Sequence, residues 1–312
     1  MRVMVVGGGA SNEHDVSLAS AAAVAEALAT RHDVVRATIG RDGSWTVGGV
    51  VHAHPELVAA LADVDVVFPA LHGVGGEDGT LQGFLATLGV PYVGCGVEAS
   101  AVCMRKDVTK AVLAAYGVAT VDGRVVATPV EAAAAMAALG APVVVKPLAD
   151  GSSVGLLVAW TAAEVAAACA AGPRLVERYS GGMEVDVAVV ELGGVVRVGS
   201  PLEIVREPGG VFDAAAKYGG EPPFVLPARL SPAVRARIEA ESVRVFAALG
   251  CRGLARVDWF VDGERLVCNE VNTMPGMTAR SQLPRMLAHA GVPFEELVDG
   301  LVRGAAGALE VV

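Results

Sequence analysis

Apolar and polar positions follow two different rhythms along this chain. Over the first ~95 residues, compact apolar runs alternate with stretches of helical spacing. "RVMVV" leads through glycines into the helix "VSLASAAAVAEALA". After it come "HDVVRATI", "DVVFPALHG", "LQGFLATLG" and "VPYVG". Strand–helix alternation at this spacing predicts a parallel, wound sheet. The middle reads differently: "PVVVKPLADGSSVGLLVA" is strand, loop, strand, a helix follows, and "RLVERY" is another strand. In "MEVDVAVVELGGVVRVGSPLEIV" the period is two, as an antiparallel sheet requires. "SPAVRARIEAESVRVFAALG" is an amphipathic helix with Ser231 placed to cap it and Pro232 at its first position. "GLARVDWFVDGERLVCNEVNTMPGMT" reads as two strands joined by a tight turn at Asp262-Gly263, and the chain ends in two short helices. No internal repeat is visible.

Composition narrows the class. The chain has 312 residues, enough for two or three domains, and 53% of them are apolar. Its formal charge of −10 argues against a nucleic-acid partner. Cys95, Cys103, Cys169, Cys251 and Cys268 form no CxxC pair and read as small buried hydrophobes in a reducing compartment. "MRVMVVGGG" is too short for a signal-peptide core, and the apolar run "AAAAMAALGAPVVV" is too short to span a bilayer. These features predict a cytosolic protein without a membrane partner.

Several polar groups sit where packing alone would not put them. In "VVGGGASNEHD", a Gly-rich turn leads from the first strand to a helix. A dinucleotide fingerprint needs a third glycine where Asn12 stands, so that match is weak, and Glu13, His14 and Asp15 read equally as a cluster complementing the helix dipole. "PALHGVGGEDGTLQG" places His72 at the carboxyl end of a strand, where wound sheets bind ligands. Capping accounts for Glu77 and Asp78 but not for a histidine among glycines. Lys146 ends an otherwise all-Val strand, a costly place for an ammonium unless an anion meets it. Gly151, Ser152 and Ser153 follow in a loop able to surround phosphate oxygens. No Walker A sequence is present. Glu177 and Glu184 flank a Gly turn whose strand edge could read an adenine, with a carboxylate for a ribose diol; a plain hairpin is the alternative. On the last hairpin, Asp258, Glu270 and Asn272 offer hard oxygen ligands beside Arg256. Such a set suits Mg²⁺ bridging nucleotide phosphates.

Assembled in order, these stretches resemble the D-alanine–D-alanine ligases of the ATP-grasp superfamily. The resemblance covers almost the whole chain and rests on "SNEHDVS", "FPALHGVGGEDGTLQG", "PYVGCGVEAS", "VVVKPLADGSSVG", "AAKYGG", "GLARVDWF" and "NEVNTMPGMT". It implies an α/β ATP-grasp fold of three domains. Residues 1–97 would form the wound substrate-binding domain, 98–181 the central domain, and 182–312 the C-terminal domain with the lid loop and metal site; antiparallel sheets of the last two would clasp ATP. Lys106 and Lys146 would hold ATP phosphates, with Ser152 and Ser153 in the phosphate loop. Glu177 would contact adenine and Glu184 the ribose. Asp258, Glu270 and Asn272 would bind two Mg²⁺ ions, which Mn²⁺ could replace. Glu13 would hold the ammonium of the first D-alanine, backed by Ser152 and Tyr218, with His72 in the same substrate site. Lys217 would reach phosphate from the lid, Arg256 and the Gly276 amide would form the oxyanion site, and Ser281 would hold the second carboxylate. A homodimer is implied as well.

The sequence departs from that family's pattern at four places. Ala214 and Ala215 replace an aromatic and an acidic lid residue, Arg105 stands where an acid often precedes the lysine, and Gln282 replaces a large apolar residue beside the second substrate. Tyr218 accompanies peptide-forming members and points to D-alanine as acceptor. Gln282 opens the alternative of a sibling ligase joining D-alanine to D-serine, D-lactate or another amino acid. A dinucleotide-dependent oxidoreductase, argued from "VVGGGAS" alone, leaves the last hairpin unexplained. A catalytically dead nucleotide-binding regulator leaves the full polar set unexplained.

Overall fold

The computed structural model describes residues 1–149, 151, 154–205 and 224–307. β1 (Arg2–Gly8), β2 (Asp33–Ile39), β3 (Trp45–Val47), β4 (Val50–His52) and β5 (Val66–Pro69) form a sheet of order β4-β3-β2-β1-β5. β1 is apolar on both faces and pairs in parallel with β2 and β5, as the wound pattern predicts. The sheet is mixed, however, because β3 and β4 extend its β2 edge as an antiparallel hairpin. α1 (His14–Leu28), α2 (His54–Ala62) and α3 (Thr80–Thr87) cover it. "VPYVG" forms no strand; its one ladder contact is Tyr92 against Val67. β5 stops at Pro69, so His72 lies in the loop beyond the strand.

α4 (Val97–Met104) and α5 (Lys106–Ala115) lead into a four-stranded antiparallel sheet. It comprises β6 (Gly123–Val126), β7 (Val143–Pro147), β8 (Leu157–Ala159) and β9 (Arg174–Arg178), in the order β6-β9-β7-β8. α6 (Pro129–Leu139) and α7 (Ala162–Ala168) each begin with a capping box, Thr128 with Glu131 and Thr161 with Glu164.

The third sheet has six strands: β10 (Met183–Leu192), β11 (Val195–Val198), β12 (Leu202–Ile204), β13 (Phe224–Val225), β14 (Leu254–Asp262) and β15 (Arg265–Asn272). β10 and β14 run through its middle and β15 closes one edge, all three antiparallel. α8 (Pro232–Ala248) starts where the sequence predicts, with the Ser231 hydroxyl accepting from the Val234 amide. The β14–β15 turn is Gly263-Glu264 rather than Asp262-Gly263. Asp262 still pairs with Arg265, and Gly263 takes the left-handed backbone that a two-residue turn needs, at φ +58°. α9 (Gln282–His289) and α10 (Phe294–Gly307) close the chain.

Side-chain parity sorts the third sheet. Val185, Val187 and Val189 of β10 join Ala255, Val257 and Trp259 of β14 in one core with Ile238 and Val245 of α8. Ala188, Val190 and Leu254 face the other way. They meet Leu283 and Met286 of α9, Val298 of α10 and, from the first sheet, Val3, Val5 and Phe68. The first and third sheets therefore share one core. No helix among the described residues is long and apolar enough to cross a membrane, and all five cysteines are buried and unbridged, as the sequence predicts.

Candidate active site

The same parity builds the site. On the face opposite α8, the ladder aligns Asp186 of β10 with Asp258 of β14 and Glu270 of β15. The next row aligns Ala188, Arg256 and Asn272. Three carboxylates side by side repel one another unless cations intervene. Arg256 supplies the first: its Nε and Nη2 donate to the two Asp258 oxygens at 2.7 and 2.8 Å, and its Nε lies 3.3 Å from Asp186. Burial works against the guanidinium, but Asp258 and Asp186 outweigh it and hold its pKa well above the usual arginine value. Lys106, at the start of α5, places its ammonium 3.7 Å from Glu270.

Lys146, on β7 in the facing sheet, has the anion that its apolar strand demands. Its Nζ meets Glu177 of β9 at 2.7 Å and donates to Asn269 Oδ1 at 2.9 Å. Lys110 reaches the other Glu177 oxygen at 2.5 Å. Burial opposes the Lys146 charge, but Glu177 and Glu270 overcome it and raise its pKa, with Glu184 adding to them. The same lysines overcome burial at Glu177 and lower its carboxyl. Glu177, read from sequence as facing adenine, thus has both oxygens on lysines. A cavity of about 100 Å³ beside it is lined by Tyr179, Ser180 and Phe260.

A cavity of about 280 Å³ lies between the first and third sheets. Glu13, His72, Arg256, Glu270, Asn272, Gly276, Ser281 and Gln282 all line it. Glu13 sits at the N-cap of α1 without a side-chain hydrogen bond to the helix, and Asp15 stands in the first turn, where acidic groups complement the dipole. The Glu13 Oε2 lies against two glycines; a Cβ at Gly151 would come within 2.6 Å of it and one at Gly73 within 3.2 Å. His72 is buried, and burial lowers its pKa, so the ring is neutral. Nδ1 donates to the Met274 carbonyl at 2.8 Å, and Nε2 then accepts from the Ser20 hydroxyl at 2.9 Å. The ring thus holds Met274 directly, and the Ser20 hydroxyl on its other side accepts from the Met277 amide at 3.1 Å. Ser281 accepts from the Thr278 amide at 3.1 Å.

A divalent cation fits this face. Asn272 donates Nδ2 to Asp258 at 2.9 Å, which leaves its Oδ1 as the atom to offer a metal, beside the Glu270 carboxylate. Among the described residues no three His, Cys, Asp or Glu side chains form a metal-holding group. Two carboxylates and an amide suit an ion whose remaining ligands are phosphate oxygens and water.

Asp186, Lys110 and Asn269 were not singled out from sequence. Asp186 had a signal, because it stands two residues after Glu184 on the same face of β10. Ser152, Ser153, Lys217 and Tyr218, with Ala214 and Ala215, lie outside the described residues. Arg105 turns away from the site onto Asp107, at 2.9 Å.

Two antiparallel sheets facing each other across lysines and carboxylates, backed by a wound sheet, define an ATP-grasp ligase. The family description "D-ala D-ala ligase C-terminus" matches residues 112–303, and "D-ala D-ala ligase N-terminus" matches 2–58 and 50–95. A D-alanine--D-alanine ligase of Anaeromyxobacter dehalogenans is 43% identical, over 98% of this chain and 97% of that protein. Among solved structures, the D-alanine-D-alanine ligase of Coxiella burnetii superposes with a TM-score of 0.85 at 29% identity, covering 99% of this chain and 95% of that one. The VanG D-Ala:D-Ser ligase of Enterococcus faecalis gives 0.82 at 32% identity, covering 98% and 99%. The chain belongs to the D-alanine–D-alanine ligase family.

Proposed function

We propose that this protein joins two D-alanine molecules, at the expense of ATP, into D-alanyl-D-alanine for peptidoglycan synthesis. The observation that carries this reading is that Glu13 of the first sheet's helix lines the same cavity as Arg256, Glu270 and Asn272 of the third sheet and Gly276 and Ser281 beyond it. Glu13 holds the ammonium of the first D-alanine. Lys106 and Lys146 hold the nucleotide phosphates, Glu184 holds the ribose, and the edge after Glu177 reads adenine. Asp258, Glu270 and Asn272 hold Mg²⁺, which when bound neutralises phosphate charge. The first carboxylate takes the γ-phosphoryl group and becomes an acylphosphate. The amine of the second D-alanine, held by Ser281 through its carboxylate and having lost a proton, attacks the carbonyl, and phosphate leaves. Negative charge grows on the carbonyl oxygen, where Arg256 and the Gly276 N–H stabilise it. Ser152, Ser153, Lys217 and Tyr218 take the phosphate, substrate and lid roles that the family pattern implies. A cytosolic homodimer belongs to the same reading.

A D-serine acceptor is the second reading, raised by Gln282 and by the likeness to a D-Ala:D-Ser ligase. Against it, both ends of the Gln282 carboxamide already meet protein groups, so it offers a serine hydroxyl little. The test is purified protein with ATP, Mg²⁺ and D-alanine, alone or with D-serine or D-lactate, scored by phosphate release and product mass. D-Alanyl-D-alanine is the expected main product. A dominant mixed product would overturn the acceptor, and no ATP consumption with D-alanine would overturn the ligase.

A further inference from the structure

Gln282 begins α9 and lines the substrate cavity, yet its carboxamide is engaged at both ends. Its Oε1 accepts from Arg256 Nη1 at 2.9 Å, and its Nε2 donates to Asp186 Oδ2 at 2.6 Å. The partners fix this orientation, since a guanidinium can only donate and a carboxylate only accept. Asp186 is fully buried and lies 3.3 Å from Arg256 Nε. The three side chains thus close a ring: arginine to amide, amide to carboxylate, carboxylate to arginine.

We propose that Gln282 and Asp186 are positioning residues that clamp the Arg256 guanidinium in its working orientation, and that Gln282 acts through this clamp rather than by touching the acceptor. Arg256 has five N–H groups. Two go to Asp258 and one to Gln282, which leaves one on each Nη for the cavity. That count depends on the amide. Without it, Nη1 loses its acceptor and Asp186 loses a donor. A buried carboxylate short of donors draws in the nearest cation. The guanidinium would turn toward Asp186, away from the cavity. A neutral amide prevents this by satisfying Asp186 while adding no charge beside a site where negative charge must develop. A large apolar side chain at this position could not do so. The catalytic consequence rests on the reading of Arg256 as the oxyanion group.

The experiment uses Gln282→Met, which keeps the side-chain length and removes both polar ends, together with Asp186→Asn and the double variant. For D-alanine ligation, Q282M should lower kcat about tenfold, the scale of a modest misplacement of a catalytic group. KM for ATP should stay within about twofold, as expected when only the transition-state contact is disturbed. Removing the pull of Asp186 should restore most of that kcat in the double variant. An unchanged kcat, or a loss confined to KM for the acceptor, overturns the proposal. Urea unfolding of the same four proteins gives a second reading that does not depend on the substrate. Q282M should shift the midpoint more with Asp186 in place than in the D186N background. Equal shifts overturn the clamp, even in a protein inactive on D-alanine, whereas inactivity of the wild type alone would count against the ligase reading only.

Discussion

Lys146 is buried among valines and exists as a cation there because Glu177 stands 2.7 Å away. Glu177 in turn tolerates full burial because two lysines share it. Replacing Lys146 by Met leaves a buried carboxylate with one lysine, and breaking a buried pair costs about 3 kcal/mol. It also removes the strand-end cation proposed to meet phosphate. K146M should therefore weaken ATP binding and destabilise the fold together, whereas K146M/E177Q should recover stability but not affinity. Calorimetry and urea unfolding separate the two; unchanged nucleotide affinity in K146M would remove the lysine from the site. The need for an anion at Lys146 is legible in "VVVKP" from solvation alone. Its partner is not, because Glu177 lies 31 positions on, the difference between 177 and 146. Only the antiparallel pairing of β7 with β9 brings them together. The role of Asp186 is hidden in the sequence for a similar reason. Its meaning lies in the row it shares with Asp258 and Glu270, and that row is a property of register.

At the scale of elements, period and length carried most of the information. β10 and α8 are long enough to show their period unambiguously, and Ser231-Pro232 marks the α8 start. The β3–β4 hairpin is three residues a side around Gly48-Gly49, too short to show alternation. "VPYVG" has strand composition but contacts β5 at a single residue, because the chain turns away at Gly94, φ +103°. The junction between the two facing sheets is more tightly specified. Gly182 joins β9 to β10 at φ +93°, and a Cβ there would sit 2.5 Å from the Val261 carbonyl oxygen. Glu184 and Asp186 follow on the strand whose register this residue sets. Gly182→Ala should destabilise by about 2 kcal/mol, through left-handed strain plus contact with backbone that cannot yield. Gly181→Ala, where the added atom meets nothing within 4 Å, should be close to neutral. Equal unfolding midpoints for the two variants would show that the junction adapts.

At the scale of the whole molecule, chain ends far apart in sequence build one body: α10 packs on α1, and the first and third sheets share a core. Glu77 is the polar counterpart of that union. From the loop after β5, its carboxyl oxygens accept from the Gly73 amide at 2.7 Å and, across the cavity, from the Met274 amide at 2.9 Å. Burial, with the Glu13 carboxylate adding to it, pushes the Glu77 carboxyl up to about 8 from an ordinary value near 4.5, while the two amides pull it down. A group raised in the folded state binds a proton that the unfolded chain has already released. Its contribution to stability is therefore complete below pH 4.5 and disappears as the pH climbs through about 8. Glu77→Gln keeps the side-chain size, cannot ionise, and loses one of the two amide acceptors at every pH. The wild type should exceed E77Q in urea midpoint by the widest margin near pH 5, and the margin should narrow steadily toward pH 8.5 as Glu77 ionises beside Glu13. A margin that stays constant or widens over that range would mean that Glu77 is already a carboxylate at pH 5, with the two amide bonds prevailing over burial.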